Sequence, residues 1–273
     1  MKPSKTGDAA FYVTGTALAL LFLFPLVWSG FSSVSGQPGT SQESGFGFGN
    51  YQAMARYGEG LATYLTNTAI VSGLTVLGTV VVSALGGYGF ARFSFPGKNL
   101  LFLATLAILM VPYATILIPL YVVLERLSLQ DSLLGLSLVL IMFQLPFALF
   151  MMRNAFEALP RELEEAALVD GCTTFKALRR ILLHAVRPAL ITVGLFSFLA
   201  SWNDFFAPLI LLSDGAKFTL PVAVVSMRER SFGAIDYGAL EAGVVVMALP
   251  CIVLFLVLQR YYVRGFMSGA VRG

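Results

Sequence analysis

Six long apolar stretches set the pattern of this chain: residues 9–28, 65–91, 100–124, 133–152, 188–212 and 242–258. Most are at least as long as the roughly 20 residues a helix needs to cross a bilayer, and the last is near the ~17 minimum. Strands of a membrane barrel alternate apolar and polar positions, and these stretches do not. The pattern predicts an all-α, polytopic membrane protein with six spanning helices in a single transmembrane domain over residues 1–273. The first stretch follows Lys2 and Lys5 and precedes Ser29, Gly30, Ser32 and Ser33, flanks that also suit a signal peptide. Its apolar part exceeds the 7–15 residues of a signal core, so a retained anchor is expected.

The polar segments between these stretches carry their own patterns. Residues 32–63, rich in Gly, Ser and Gln, read as an external loop, with a short surface helix within 51–64. The segment 153–187 is more structured than a connector requires. Pro160 suits a first helical turn, and Glu162, Glu164 and Glu165 follow where acids complement the helix dipole. Leu163, Ala166 and Ala167 fall toward one side, and Gly171 is placed to end the helix in the left-handed conformation. Thr173 or Thr174 then caps a second helix, with Phe175, Leu178 and Leu182 at helical spacing and Lys176, Arg179 and Arg180 on the other side. The insert therefore reads as helix, turn, helix: a surface built to dock. Prolines 112, 119, 146 and 250 fall inside spans and predict kinks that neighbours or water must compensate. Ser83, Gly86, Gly87 and Gly89 thin the second span for close helix packing.

Composition agrees with a lipid environment. Hydrophobic residues make up 57% of the 273 and charged residues 12%, against about 25% charged in soluble domains; mean hydropathy is +0.80. Thirteen of the 18 basic residues fall on one side of the expected spans, among them Lys2, Arg92, Arg153, Arg187 and Arg272. Arg56, Arg126, Lys217, Arg228 and Arg230 fall on the other. Positive charge stays inside, so both termini and the 153–187 insert are expected in the cytoplasm. The net charge of +3 reflects this bias and gives no reason to invoke nucleic acid.

Candidate chemistry is sparse. Asp204, beside Trp202 and Asn203, is expected near the middle of the fifth span, where an ionisable group is costly and faces the bundle interior, a partner or water. With Asn67, Thr68 and Gln144 it forms the polar set for a candidate translocation pathway; a structural hydrogen bond between helices is the alternative for Asp204. Cys172 and Cys251 share no metal-ligand spacing and read as plain thiols. His184, the only histidine, has no nucleophile or metal partner at a recognisable spacing. No G-x-x-x-x-G-K-[ST] phosphate loop is present. No catalytic or metal-binding residue is assigned.

The sequence "EAALVDG" over 165–171, nine further residues, then "ILL" over 181–183 resembles the EAA loop of ATP-binding-cassette (ABC) importer permeases. That loop reads Glu-Ala-Ala, three residues, Gly, nine residues, Ile-x-Leu-Pro. The chain departs at the last place, where His184 replaces the proline and Pro188 comes four residues later. "NTAIVSG", "ARFSFPGK", "VPYATILIPLY", "SWNDFFAPL" and the tail "GFMSGAVRG" extend the likeness to the MalG-type permeases of carbohydrate importers. The resemblance implies the type I importer permease fold (MetI-like), in a bacterial or archaeal plasma membrane. It implies that Glu165, Ala166, Ala167, Asp170 and Gly171 couple the chain to an ATPase. It further implies that the tail 263–273, including Ser268, Gly269 and Arg272, reaches toward that ATPase.

The implied partners are a second, MalF-type permease, two ATP-binding cassette subunits, an extracytoplasmic solute-binding protein and membrane lipid. ATP and Mg would sit on the ATPase, with no cofactor on this chain, and the solute would be a sugar or related polar compound. Two other classes compete. An ion-coupled secondary transporter would use Asp204 as its relay, but no internal repeat between the two halves supports it. A membrane-embedded enzyme would need paired acids or a histidine cluster at membrane depth, and the sequence offers neither.

Overall fold

The structure is a computed structural model that describes residues 5–36, 40–227 and 236–270, with side chains over 11–36, 40–227 and 236–259. Lys2, Arg228, Arg230 and Arg272 lie outside the described residues. The helices, in chain order, are α1 (Lys5–Val34), α2 (Gly49–Ala55), α3 (Leu61–Arg92), α4 (Lys98–Ala107), α5 (Tyr113–Arg126), α6 (Leu133–Glu157) and α7 (Glu162–Val169). There follow α8 (Thr174–Ala177), α9 (Leu183–Ala185), α10 (Arg187–Trp202), α11 (Phe206–Leu211), α12 (Leu220–Ser226) and α13 (Tyr237–Ala270). A single π-helical turn, Leu178–Leu182, joins α8 to α9.

All six apolar stretches are helical, but only four are continuous: α1, α3, α6 and α13. The third and fifth are broken. The third bends by 108° between Lys98–Met110 and Tyr113–Arg126, because Pro112 drives the preceding Val111 into extended backbone, φ −83° and ψ 127°. The fifth joins Thr174–Ala185 to Arg187–Trp202 through a 77° bend. It stops at Trp202 and resumes at Phe206. Asp204 therefore lies in a helix break, and the uninterrupted fifth span expected from the sequence is corrected here. Prolines 25, 119, 146 and 250 stay inside helices. The surface helix expected within 51–64 forms earlier, as α2, and α3 already begins at Leu61.

The chain divides into two compact units: Met1–Ala62 with Ala223–Pro250, and Thr63–Val222 with Cys251–Gly273. In the first, the loop after α1 is organised by Gln42. Its side chain donates to the Val34 and Gly45 carbonyls and accepts from the Gly49 N–H at 3.0 Å. Asn50 is fully buried and donates to the Ser33 carbonyl at 3.0 Å. Asp236 caps α13 by accepting from the Ala239 N–H at 3.0 Å and holds the loop through the Ser41 N–H, also at 3.0 Å.

In the second unit α3 and α6 are the centre. Of their most apolar stretches 33% and 44% is buried, against 11% for α1 and for α13. Their contact depends on missing side chains: a Cβ at Gly87 would lie 2.6 Å from Met152 Cβ and 2.9 Å from the Arg153 nitrogen. Substitution there pushes two helix backbones apart, as expected where lipid supplies no drive for association. One face of α3 carries Thr68, Ser72, Thr75, Thr79 and Ser83, all buried. Near one end of the unit, Ala84, Tyr88, Ala148, Met152 and Phe156 pack with Leu178, Leu182 and Val186 of the polar insert. Toward the other, Val71, Leu117, Leu136 and Leu140 pack with Ala207 and Leu211.

Candidate functional site

The polar insert is a fixed structure. α7 begins with Glu162, Glu164 and Glu165 in its first turn, where they complement the positive helix end. It ends in a paired arrangement: Gly171 N–H donates to the Leu168 carbonyl and Cys172 N–H to the Ala167 carbonyl, both at 3.0 Å. This motif requires the left-handed conformation at its turn residue, and Gly171 has φ +82°. Thr173 then caps α8, its hydroxyl accepting from the Lys176 N–H at 3.3 Å. Beyond the cap, Leu178 and Leu182 are almost fully buried against α3 and α6, and Ala177 is fully buried. The insert is therefore built into the end of the bundle.

Its two faces differ. Ala167 is buried and Glu164 is turned inward, whereas Glu165, Ala166, Val169 and Asp170 are exposed. Positions 165, 166, 169 and 170 share one side of a helix. That side offers a carboxylate pair around a valine that is 87% exposed. Leu163 and Ala166, expected on the packed side, are exposed instead. So is Phe175, 65% accessible, although it lines an apolar groove with Val80, Val81 and Leu178; Leu178 and Leu182 do the packing. His184 is exposed, and the bend falls at Val186 with Pro188 in the first turn of α10. Proline is accommodated there because first-turn N–H groups have no helical acceptor. Cys172 and Cys251 are free thiols.

The second polar cluster joins the two helix breaks. Tyr113, the first residue of α5, donates its hydroxyl to Asp204 Oδ2 at 2.6 Å. The other oxygen of Asp204 accepts from the Ala207 N–H at 2.9 Å and so caps α11. Asn203 is exposed; its amide donates to the Leu199 carbonyl at 2.8 Å and lies 3.7 Å from Cys251 Sγ. Trp202 is buried and stacks on Phe198 at 5.2 Å. Together they line a largely apolar groove of about 390 Å³ with Ala69, Ser72, Gly73 and Val76. Gln144 is half-buried on α6. Asn67 stands apart from the break: its amide donates to the Ala216 and Phe218 carbonyls at 2.9 and 3.0 Å. Thr68 beside it accepts from the Leu220 N–H at 2.8 Å. The structure thus gathers Trp202, Asn203 and Asp204 at one break and uses Asn67 to fasten a loop.

In the tail, Ser268 and Gly269 belong to α13, which runs to Ala270; the Ser268 side chain and Arg272 lie outside the described parts. Two side chains that the sequence pattern does not single out join the insert. Tyr88 and Arg92 meet Glu164 across more than 70 residues of chain, and only the positions of Arg92 at a span end and Glu164 in a first turn hint at it.

These features define a multi-pass helical membrane protein with a broken-helix core and a helix-turn-helix insert packed at one end. The model of the family of binding-protein-dependent transport system inner membrane components matches residues 83–267, and the chain belongs to that family. It is 34% identical over 257 residues to the trehalose transport system permease protein SugB of Mycobacterium tuberculosis (strain CDC 1551 / Oshkosh), covering 92% of this chain and 93% of that one. It is 36% identical to the probable ABC transporter permease protein YurM of Bacillus subtilis (strain 168), over 81% of this chain and 73% of that one. Among solved structures, a bacterial ABC transporter involved in the import of the acidic polysaccharide alginate superposes with a TM-score of 0.80 at 20% identity. The match covers 96% of this chain and 99% of that one. The MetI-like permease fold expected from the sequence is the fold observed.

Proposed function

We propose that the chain is one of two permease subunits of an ATP-driven importer for a sugar or related polar solute. It provides half of the membrane pathway alongside a second, MalF-type permease. Two ATP-binding cassette subunits hold ATP and Mg and hydrolyse the nucleotide, and an extracytoplasmic binding protein delivers the solute. The insert lies on the cytoplasmic side with both termini. The observation that carries this reading is the division of the insert: one helix fastened into the bundle core by Leu178 and Leu182, and a second presenting Glu165, Ala166, Val169 and Asp170 outward. Relatives named for trehalose and for arabinooligosaccharides support the solute class. A solved alginate transporter in complex with a pentasaccharide-bound periplasmic protein supports the delivery partner.

The mechanism follows from this arrangement. A solute crosses when the permease pair alternates between inward-open and outward-open states, and a ligand drives that change only by binding the two states unequally. ATP on the cassette subunits provides the inequality, because their closure displaces whatever is seated in them. The exposed face of α7 is the part of this chain that takes the load. Gly171 fixes the angle between α7 and α8, and the buried second helix passes the displacement into α3, α6 and α10.

Purification of the N-terminally tagged chain from its native host in mild detergent, followed by mass spectrometry, tests the reading. Recovery of a second permease, a cassette ATPase and a binding protein is expected. A chain recovered alone, under conditions where other membrane complexes survive, would overturn it.

A further inference from the structure

α7 carries two adjacent glutamates with different surroundings, one partly buried and one exposed, and the proposed partner contact accounts for only one of them. Glu165 faces out. Glu164 faces the end of α3, where Tyr88 donates its hydroxyl to Oε1 and Arg92 Nε lies 3.3 Å from Oε2. The other end of the same guanidinium donates to the Leu159 carbonyl at 3.1 Å, in the short link between α6 and α7. The Arg92 and Glu164 side chains are 7% and 14% exposed. Nε has no aligned hydrogen bond, so its hold on the carboxylate is an ion contact. That contact is strengthened by the low local dielectric.

We infer that Glu164, Arg92 and Tyr88 are positioning residues for transport, forming a tie through which α7 and the cytoplasmic end of α3 move as one body. The inference rests on the permease reading above. Apolar packing does not hold α7: Ala167 is its one buried residue, and a single small side chain resists little sliding. The polar tie grips from two directions. Tyr88 and Arg92 are one turn apart on α3, so they hold the carboxylate at two heights along the span, while Leu159 holds the guanidinium from the α6 side. A load taken up by Glu165 on the outer face thus reaches α3, the most central long helix beside α6, through the next residue in the chain.

The test uses the assembled complex with Cys172 and Cys251 replaced by serine, and two single-cysteine reporters. Glu162→Cys is exposed on α7, and Ser94→Cys is exposed two residues beyond α3. Maleimide labelling is timed with and without a non-hydrolysable ATP analogue. With the tie intact, the analogue changes the labelling rate at both reporters by at least about fivefold, the low end of a typical coupling between sites. In Glu164→Gln the change persists at residue 162 and is sharply reduced at residue 94, where only the route through the buried second helix remains. Exchange of the pair, Arg92→Glu with Glu164→Arg, restores it. Tyr88→Phe gives a partial loss.

A full response at residue 94 in Glu164→Gln would overturn the tie. So would loss of both responses together with loss of ATPase subunits and no recovery in the exchanged pair, which is the signature of a merely structural role. If neither reporter responds in the otherwise native complex, the permease reading itself fails and takes the tie with it.

Discussion

Two carboxylates in the second unit accept a tyrosine hydroxyl from another helix, and they differ in what else they meet. Glu164 meets the Arg92 guanidinium, and its own helix is otherwise barely anchored. Asp204 meets no cation among the described residues; it accepts from Tyr113 and from the Ala207 backbone N–H. The first arrangement joins two elements that are far apart in sequence and leaves each otherwise intact. The second lies inside a broken helix and fixes the shape of the break, with the Tyr113 end of the other broken span held against it. A charge pair that is nearly buried is a joint between parts. A carboxylate satisfied by neutral donors, with a helix beginning on it, is a corner.

The comparison is broken most severely by Glu164→Ala, which strands Arg92 in a nearly dry site. Removing one partner of a buried ion pair costs about 3–5 kcal/mol, and thermal unfolding of the detergent-solubilised complex should report a loss of that order. Asp204→Ala is expected to cost less, about 1–3 kcal/mol, the range for leaving buried donors unsatisfied. It is read by the same unfolding measurement. The charge itself sharpens the contrast. Asp204→Asn keeps its one acceptor oxygen for the Ala207 N–H, and its amide can donate to the Tyr113 oxygen once that hydroxyl turns away. It should therefore stay within about 1 kcal/mol of the parent, in the range of one neutral hydrogen bond. A loss at Asp204→Asn as large as at Asp204→Ala would show that the corner depends on ionisation after all.

The smallest effect is expected at the loop between α5 and α6. Asp131 is partly desolvated, which raises its pKa, but hydrogen bonds from Lys217 Nζ and from the Ser213 and Asp214 N–H groups lower it further, so the net direction is down. A carboxyl held low in the folded state stabilises it above the unfolded pKa, about 3.9. That contribution is lost as pH falls through the folded value. The parent should therefore lose more stability than Asp131→Asn on acidification below about pH 4. Parallel acid-unfolding curves would contradict the assignment.

Much of this architecture is legible in the chain. The six apolar stretches, the capped helix-turn-helix of the insert and the left-handed Gly171 follow from hydrophobic periodicity and turn chemistry, both of which are local. The breaks are only half legible. Pro112 marks one, but proline alone does not distinguish a kink from a 108° bend. The other falls at Asn203–Phe205 with no proline or glycine, because Asp204 begins a new helix by capping Ala207. Phe175 reads as a packing residue, yet it stays 65% exposed on an apolar groove while Leu178 and Leu182 carry the packing. Asn67 reads as lumenal until the loop carbonyls of Ala216 and Phe218 come to meet it. Glu164 looks like one of three interchangeable first-turn acids, since its partners belong to a span more than 70 residues earlier. Contacts of that separation leave no periodic trace in a single sequence.

The central claim is that the outer face of α7 is the seat of the ATPase. It is tested most directly by placing a cysteine at Ala166, with Cys172 and Cys251 replaced by serine, and cross-linking in native membranes with a short thiol-to-amine reagent. A covalent adduct with a cassette ATPase, whose yield changes when ATP is supplied, is the predicted result. An adduct formed instead with a protein of the outer face, or no adduct while the ATPase still co-purifies with the chain, would contradict the account.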